Sequence, residues 1–334
     1  MLFVKYLTAV SPVFLFLAAL VVFDSFKLIP FRNILGTIVI GCAAAVLAYF
    51  INNAVADFAP GRSAFFWYAA PMIEESLKAS FIIYLIVARR IGFMVDAAIY
   101  GFALGAGFGI FENTYYLYMA PAPELFVWII RGFGTAVMHG ITAATFAIVS
   151  KNFDDRSEKL KPISFVPGLA AAFAIHSFYN HFLFSPPVWT LVQLAGFVLV
   201  MIVLYHQSEL AMREWLGIGL DSEIELLRVI SAGQISDTRV GKYLQSIKKK
   251  FPGDVVVDML CLVQVHLELS VKAKGMLLIH EAGLTQNLDA ETKEKFNELH
   301  FLENSIGMIG NRALAPILHL NSRDLWELHF LEHK

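Results

Sequence analysis

Two cysteines occur among 334 residues, Cys42 within a long apolar run and Cys261 in the more highly charged C-terminal part. Thiols so few and so differently placed exclude a disulfide framework, and both read as core residues. Charge is also scarce: Lys, Arg, Asp and Glu make up 16% of the chain, and a formal net charge of −2 gives no footprint for nucleic acid. The sequence has no HExxH and no cysteine-rich cluster, and no His/Asp triad surrounds Ser76, the only serine beside the acidic pair at 74–75. GFG at 107–109 lacks the strand–turn–helix context of a phosphate loop. What the chain has in excess is apolar residue, 57% of the total, unevenly spread.

Residues 1–206 hold 12 Lys/Arg and 10 Asp/Glu, whereas the remaining 128 residues hold 14 and 18. This contrast predicts a membrane domain over 1–206 and a soluble domain over 207–334. Apolar runs near the ~20 residues that a bilayer requires fall at about 6–24, 34–56, 64–88, 94–119, 125–150, 163–184 and 188–206. Pro186-Pro187 separates the last two. The expected fold class is all-α, a polytopic membrane helix bundle of about seven spans followed by a C-terminal cytoplasmic helical domain. The first run follows Lys5, is longer than a signal-peptide core and has no small-x-small cleavage site, so it reads as an uncleaved span. Lys27, Arg32, Arg89, Arg90, Lys151, Arg156, Lys159, Lys161 and Arg213 fall on one side of the seven-span arrangement, and only Lys5 and Arg62 on the other. The positive-inside rule then puts the N-terminus outside and the C-terminal domain in the cytoplasm.

Beyond residue 206, apolar residues recur at three- and four-residue spacing in 223–230, 254–271 and 299–309, which predicts a small helical bundle. ELHFLE occurs at 298–303 and again at 327–332, and reads as chance similarity between amphipathic helices. Lys248-Lys249-Lys250 reads as solvated surface. Nothing in 207–334 assigns a role, and a cytoplasmic regulator is one partner this segment can take.

The informative residues are the polar ones inside apolar runs: Glu74, Glu75, Lys78, Glu112, His139, His176 and Asn180. An acidic residue at the middle of a spanning helix costs roughly 2.5–3.5 kcal/mol on insertion scales, so three glutamates must be retained for a purpose. Glu74 and Glu75 lie four and three residues before Lys78, which can pair with one of them. The other must be protonated, hydrogen-bonded or hydrated, and each of these retunes a carboxyl toward general-base work. Gly101, Gly105 and Gly109 form a small-residue ridge three residues short of Glu112, so that Glu112 faces protein rather than lipid, with Asn113 beside it. His176 and Asn180 share a helix face. Counted along the helices, Glu74, His139 and His176 fall near mid-membrane, with Glu112 and Asn180 toward the outer side. Five polar side chains from four helices thus converge. Asp96 and Arg131 read as structural ion-pair or helix-end residues.

EExxK at Glu74–Lys78, Asp96 with Tyr100-Gly101, FxxxEN at Phe108–Asn113, His139 and HxxxN at His176–Asn180 together resemble the PrsW family of intramembrane proteases, in a wider superfamily with the CAAX prenyl-proteases. The resemblance covers roughly residues 64–184. It implies that Glu74 activates water, with Glu75 its motif neighbour and Lys78 its basic partner. Glu112 takes the FxxxE position after Phe108, where CAAX proteases have histidine, and His176 with Asn180 is similar to an oxyanion-stabilising pair. The departures at EExxK and FxxxE argue against a prenylated substrate. The expectation is a glutamate-dependent endopeptidase of a prokaryotic plasma membrane, acting without a cofactor on a single-span membrane protein such as an anti-sigma factor. His139 is assigned proton transfer to the leaving amine. Two alternatives stand beside it. One is a zinc protease with Glu74 or Glu75, Glu112, His139 and His176 as ligands. The other is a non-catalytic scaffold or proton-coupled transporter, the latter disfavoured because no inverted repeat is present.

Overall fold

A computed structural model describes residues 2–24, 28–58, 61–119, 124–156, 161–281, 284, 288–318 and 322–332; among them no residue is in a strand. Lys27 and Lys159, two of the basic residues used for orientation, lie outside the described residues. The chain divides into two compact units, Met1–Ser208 and Glu209–Lys334.

All seven apolar runs of the first unit are helical. They are α1 (Leu2–Phe23), α2 (Phe31–Val55), α3 (Ala70–Val87), α4 (Met94–Met119), α5 (Leu125–Asp155), α6 (Val166–Asn180) and α7 (Pro186–Ser231). Six of these are long and apolar enough to cross a membrane, and the protein is a multi-pass integral membrane protein. The run at 64–88, the expected third span, is not among the six. Its helix carries Glu74, Glu75 and Lys78, so its composition is too charged for a span that faces lipid all round. The last span also differs from expectation, because α7 continues past 206 to Ser231. No proline follows Pro187 until Pro252, so nothing stops the helix at 206, and it ends only before Gly233, at φ +71°.

The bundle is organised on α4, the most enclosed of its apolar helices. The glycine ridge explains this placement. A methyl group at Gly105 would lie 2.0 Å from the His139 carbonyl oxygen, at Gly101 2.6 Å from the Ala143 oxygen, and at Gly109 2.7 Å from Ala136 Cα, all on α5. Only hydrogen at these positions lets the two backbones touch. Gly107 does the same toward α2, where a methyl group would meet the Ile38 oxygen at 2.0 Å. Asp96 accepts the backbone N–H groups of Gly92 (3.2 Å) and Phe93 (2.9 Å), which satisfies donors at the start of α4.

Two segments are wound as π-helix, Phe65–Ala69 just before α3 and Arg131–Ala136 within α5. Such wide turns disturb the regular ladder and expose carbonyls, and here side chains take them. Asn180 donates to Phe66 O (2.9 Å), Ser177 to Trp67 O (2.6 Å), Asn113 to Arg131 O (3.3 Å) and Gln193 to Gly134 O (2.9 Å). Both cysteines, expected in the core, are half-buried; the Cys42 thiol contacts Gly107 O at 3.2 Å.

The second unit is helical as the periodicity predicts, with the end of α7 joined by α8 (Arg239–Ile247), α9 (Gly253–Glu281), α10 (Ala290–Leu318) and α11 (Ser322–Glu332). Thr238 caps α8 by accepting Gly241 N–H at 3.0 Å. Gly307, at φ +66°, kinks α10 in a conformation that glycine adopts without strain. Met259, Leu262, Leu269, Phe296 and Leu314 are among the residues of its core. The two ELHFLE copies lie on α10 and α11, with Leu299, Leu302 and Leu331 buried and Leu328 partly buried.

Candidate active site

Glu75 and Lys78 lie one turn apart on α3 and pair at 2.6 Å, each side chain 1% exposed. Burying both ions requires further partners, and neighbouring helices supply them. Glu75 Oε1 also accepts from Thr142 (3.1 Å) and faces His176 Nδ1 at 2.7 Å. Its other oxygen, Oε2, is buried with no hydrogen-bond partner among the described residues. Lys78 Nζ reaches His139 Nδ1 at 3.2 Å and Thr142 Oγ1 at 3.3 Å, and lies 4.9 Å from the Phe108 ring centre. With Nδ1 taken by the lysine, Nε2 is the nitrogen through which His139 would hold a metal.

That Nε2 is 2.6 Å from Glu112 Oε2. The other oxygen of Glu112 is held by Arg131 at 3.0 Å, and Arg131 also donates from Nε to Asn113 Oδ1 at 3.0 Å. The Arg131 guanidinium lies 4.2 Å from the centre of the Tyr116 ring. Glu112 is 25% exposed, so this acid, unlike Glu75, is not enclosed by its neighbours.

Glu74, one residue and about 100° from Glu75, accepts from Asn52 at 3.1 Å and places Oε2 3.8 Å from His176 Nε2. Glu75 thus orients the His176 ring by its Nδ1, leaving Nε2 toward Glu74. The two imidazoles stand edge to face, 5.0 Å apart. One donor atom each from Glu74, His139 and His176 lie within 4.8 Å of one another.

Of the expected residues, Glu74, Glu75, Lys78, Glu112, His139 and His176 come together, Phe108 flanks the His139 ring at 4.7 Å, and Asn113 is one step out. Asn180 does not join them. Expected as a hydrogen-bond donor paired with His176, it is instead taken up by the Phe66 carbonyl of the first wide turn. Ser76 is exposed and apart from the cluster. Thr142 and Asn52 were missed. Thr142 follows His139 by three residues and shares its helix face, which is the one signal that could have marked it.

A carboxylate and two imidazoles form the His₂Glu donor set that holds a catalytic zinc in peptidases; His176, whose Nδ1 faces Glu75, has the carboxylate support usual for such a ligand, whereas His139 would exchange its Nε2 contact with Glu112 for the metal. The residues present therefore fit a divalent metal, and Glu75 Oε2 is a buried oxygen with spare capacity beside them. Carboxylates, imidazoles and a donor set of this kind, enclosed between apolar helices, define a membrane-embedded hydrolase. The chain belongs to the family described as PrsW family intramembrane metalloprotease, whose model matches residues 29–206. It is thus a membrane peptidase, and the family description stands against the expectation of no cofactor. No curated protein and no solved structure matches the chain.

Proposed function

We propose that this protein is an intramembrane endopeptidase that hydrolyses a peptide bond in a single-span membrane protein, at the cluster of Glu74, His139 and His176. The observation that carries this reading is the approach of those three donor groups to within 4.8 Å. They are the residues that would hold a divalent ion such as zinc, which when bound polarises a carbonyl and acidifies water.

The chain's own groups divide the remaining work. Glu112, partly exposed and fixed through one oxygen by Arg131, takes the proton from the attacking water on the oxygen that faces His139 and passes it to the leaving amine. Glu75 sets the orientation of His176, and Lys78 that of His139. Apolar helices around the cluster limit water to the reacting site. The substrate segment is locally unwound there, since a helical peptide bond hides its carbonyl in the backbone ladder. By family resemblance the substrate class is a membrane-anchored anti-sigma factor. The membrane is a prokaryotic plasma membrane, with residues 207–334 on the cytoplasmic side as a domain open to a regulator.

A second reading keeps Glu74 and Glu112 as bases acting without metal. One contact favours it: His139 Nε2, the nitrogen not engaged by Lys78, is hydrogen-bonded to Glu112. Purified protein in liposomes, given single-span substrates, separates the two. The metal reading expects cleavage to be lost in Glu74→Gln, lost with a strong chelator and restored by zinc. Chelator indifference with loss in Glu74→Gln establishes the metal-free mechanism instead. Cleavage unchanged in Glu74→Gln removes the cluster from the chemistry.

A further inference from the structure

Away from the acid cluster, a groove of about 450 Å³ opens between α3, α5 and α6. Its floor is Ala79, Phe146 and Phe165, all buried, with the two phenyl rings stacked at 6.4 Å. Its rims are Val87 and Val166, more than half exposed. The one charged residue that lines it is Lys161, exposed and without an ion-pair partner among the described residues. Among the described residues, the acids at the end of α5 are engaged elsewhere: Asp154 pairs with Arg89 (3.1 Å) and Lys151 (3.3 Å), and Asp155 with Lys151 (2.9 Å).

We propose that this groove binds one acyl chain of an anionic phospholipid, with Lys161 at the headgroup phosphate. The apolar lining and its single charge select this occupant. From Ala79 to Val87 the groove follows about 12 Å of α3. A single hydrocarbon chain suits a narrow apolar slot, and a lone cation at its mouth suits an anionic lipid head. Ala79 follows Lys78 in sequence, so a chain in the groove lies along the helix that bears Glu74 and Glu75. Occupancy therefore steadies α3, and the bound lipid becomes part of the support of the acid pair.

The test uses full-length protein in detergent, exchanged into phosphatidylglycerol or phosphatidylcholine of equal chain length, with retained lipid measured by mass spectrometry after gel filtration. Phosphatidylglycerol is retained about five-fold over phosphatidylcholine, in line with one lysine at an anionic headgroup. Lys161→Glu abolishes that preference. Ile83→Trp, which fills the groove, and Val166→Phe at its rim each reduce retention of both lipids, so a folding failure in one leaves the other to report. Equal retention by wild type and both filling variants overturns the site. A preference that survives Lys161→Glu overturns the headgroup assignment. Displacement of bound lipid by an apolar single-span peptide identifies a protein-docking face and overturns the lipid.

Discussion

Lys78 in the membrane unit and Lys274 in the second unit are each 1% exposed, and each meets a buried glutamate, Glu75 at 2.6 Å and Glu327 at 3.0 Å. Each pair has a hydroxyl, Thr142 or Ser270, bonded to the carboxylate. Each has a further carboxylate nearby, and Lys274 also holds Glu223 at 2.7 Å. The difference is in the imidazoles. His139 and His176 are hydrogen-bonded to Glu112 and Glu75, whereas His266, buried near Lys274, leaves Nε2 without a hydrogen-bond partner among the described residues. Only the first cluster brings three potential metal donors together among the described residues. A buried ion pair holds helices in register in both units. A site arises where donors of different kinds are aimed at one volume.

Replacing both ion pairs with apolar residues should separate these roles most strongly. Glu75→Leu with Lys78→Met removes the groups that orient His176 and His139, and cleavage should fall by about 10–100-fold or more. Glu327→Leu with Lys274→Met should leave cleavage unchanged and stability unchanged or higher, as for other buried pairs replaced by apolar groups. Equal losses from the two doubles would mean that the membrane pair is only structural. Backbone approach gives the next contrast. Gly105→Ala forces the α4–α5 contact at His139 to shift, and a displacement near 1 Å costs about 10²-fold in rate. Gly217→Ala, with no atom within 4 Å of the added methyl, should be silent in the same assay.

Asn180→Ala distinguishes support from catalysis within the membrane unit. A donor to the developing oxyanion is worth about 10²–10³ in rate, whereas a side chain that ties a wide turn should cost less than about ten-fold. Steady-state cleavage rates decide between these magnitudes. The last contrast belongs to the second unit and is read in stability, not in cleavage. Burial, with Lys274 nearby, lowers the His266 pKa from 6.5 to about 4. The folded unit thus favours neutral imidazole, so its stability is full above pH 6.5 and declines as pH falls toward 4, by at most about 3 kcal/mol. Hydrogen exchange of α9 at pH 7.5 and pH 5, corrected for intrinsic rates, should show faster opening at the lower pH, and His266→Leu should remove most of the difference.

Much of this was legible from residue order alone, for stated reasons. Apolar runs of bilayer length mark helices, and glutamates or histidines inside them mark groups that lipid cannot face, so Glu74, Glu75, Glu112, His139 and His176 stood out. The glycine ridge at 101, 105 and 109 signalled close packing. Asn180 shows the limit. Its spacing from His176 is right for a shared face, yet its partner is a carbonyl exposed by a wide turn more than a hundred residues earlier, and helical periodicity does not register that turn. Thr142 and Asn52 are hidden because such polar residues in apolar helices are unremarkable without their tertiary neighbours. The end of the last span was obscured because α7 runs on without a proline or a cap.

The two wide turns also bear on how such a chain tolerates change in length. A π-turn is closed by i→i+5 bonds, one residue more than the α-turn. Deleting a residue from Phe65–Ala69 can return that stretch to ordinary winding while everything from Ala70 onward keeps its facing. The same deletion between Ala70 and Glu74 would swing one side of the helix by about 100° against the other and turn an acid toward lipid. Length variation among descendants of this chain is therefore expected to concentrate at Phe65–Ala69 and Arg131–Ala136, the places where a residue can be lost without re-aiming the carboxylates.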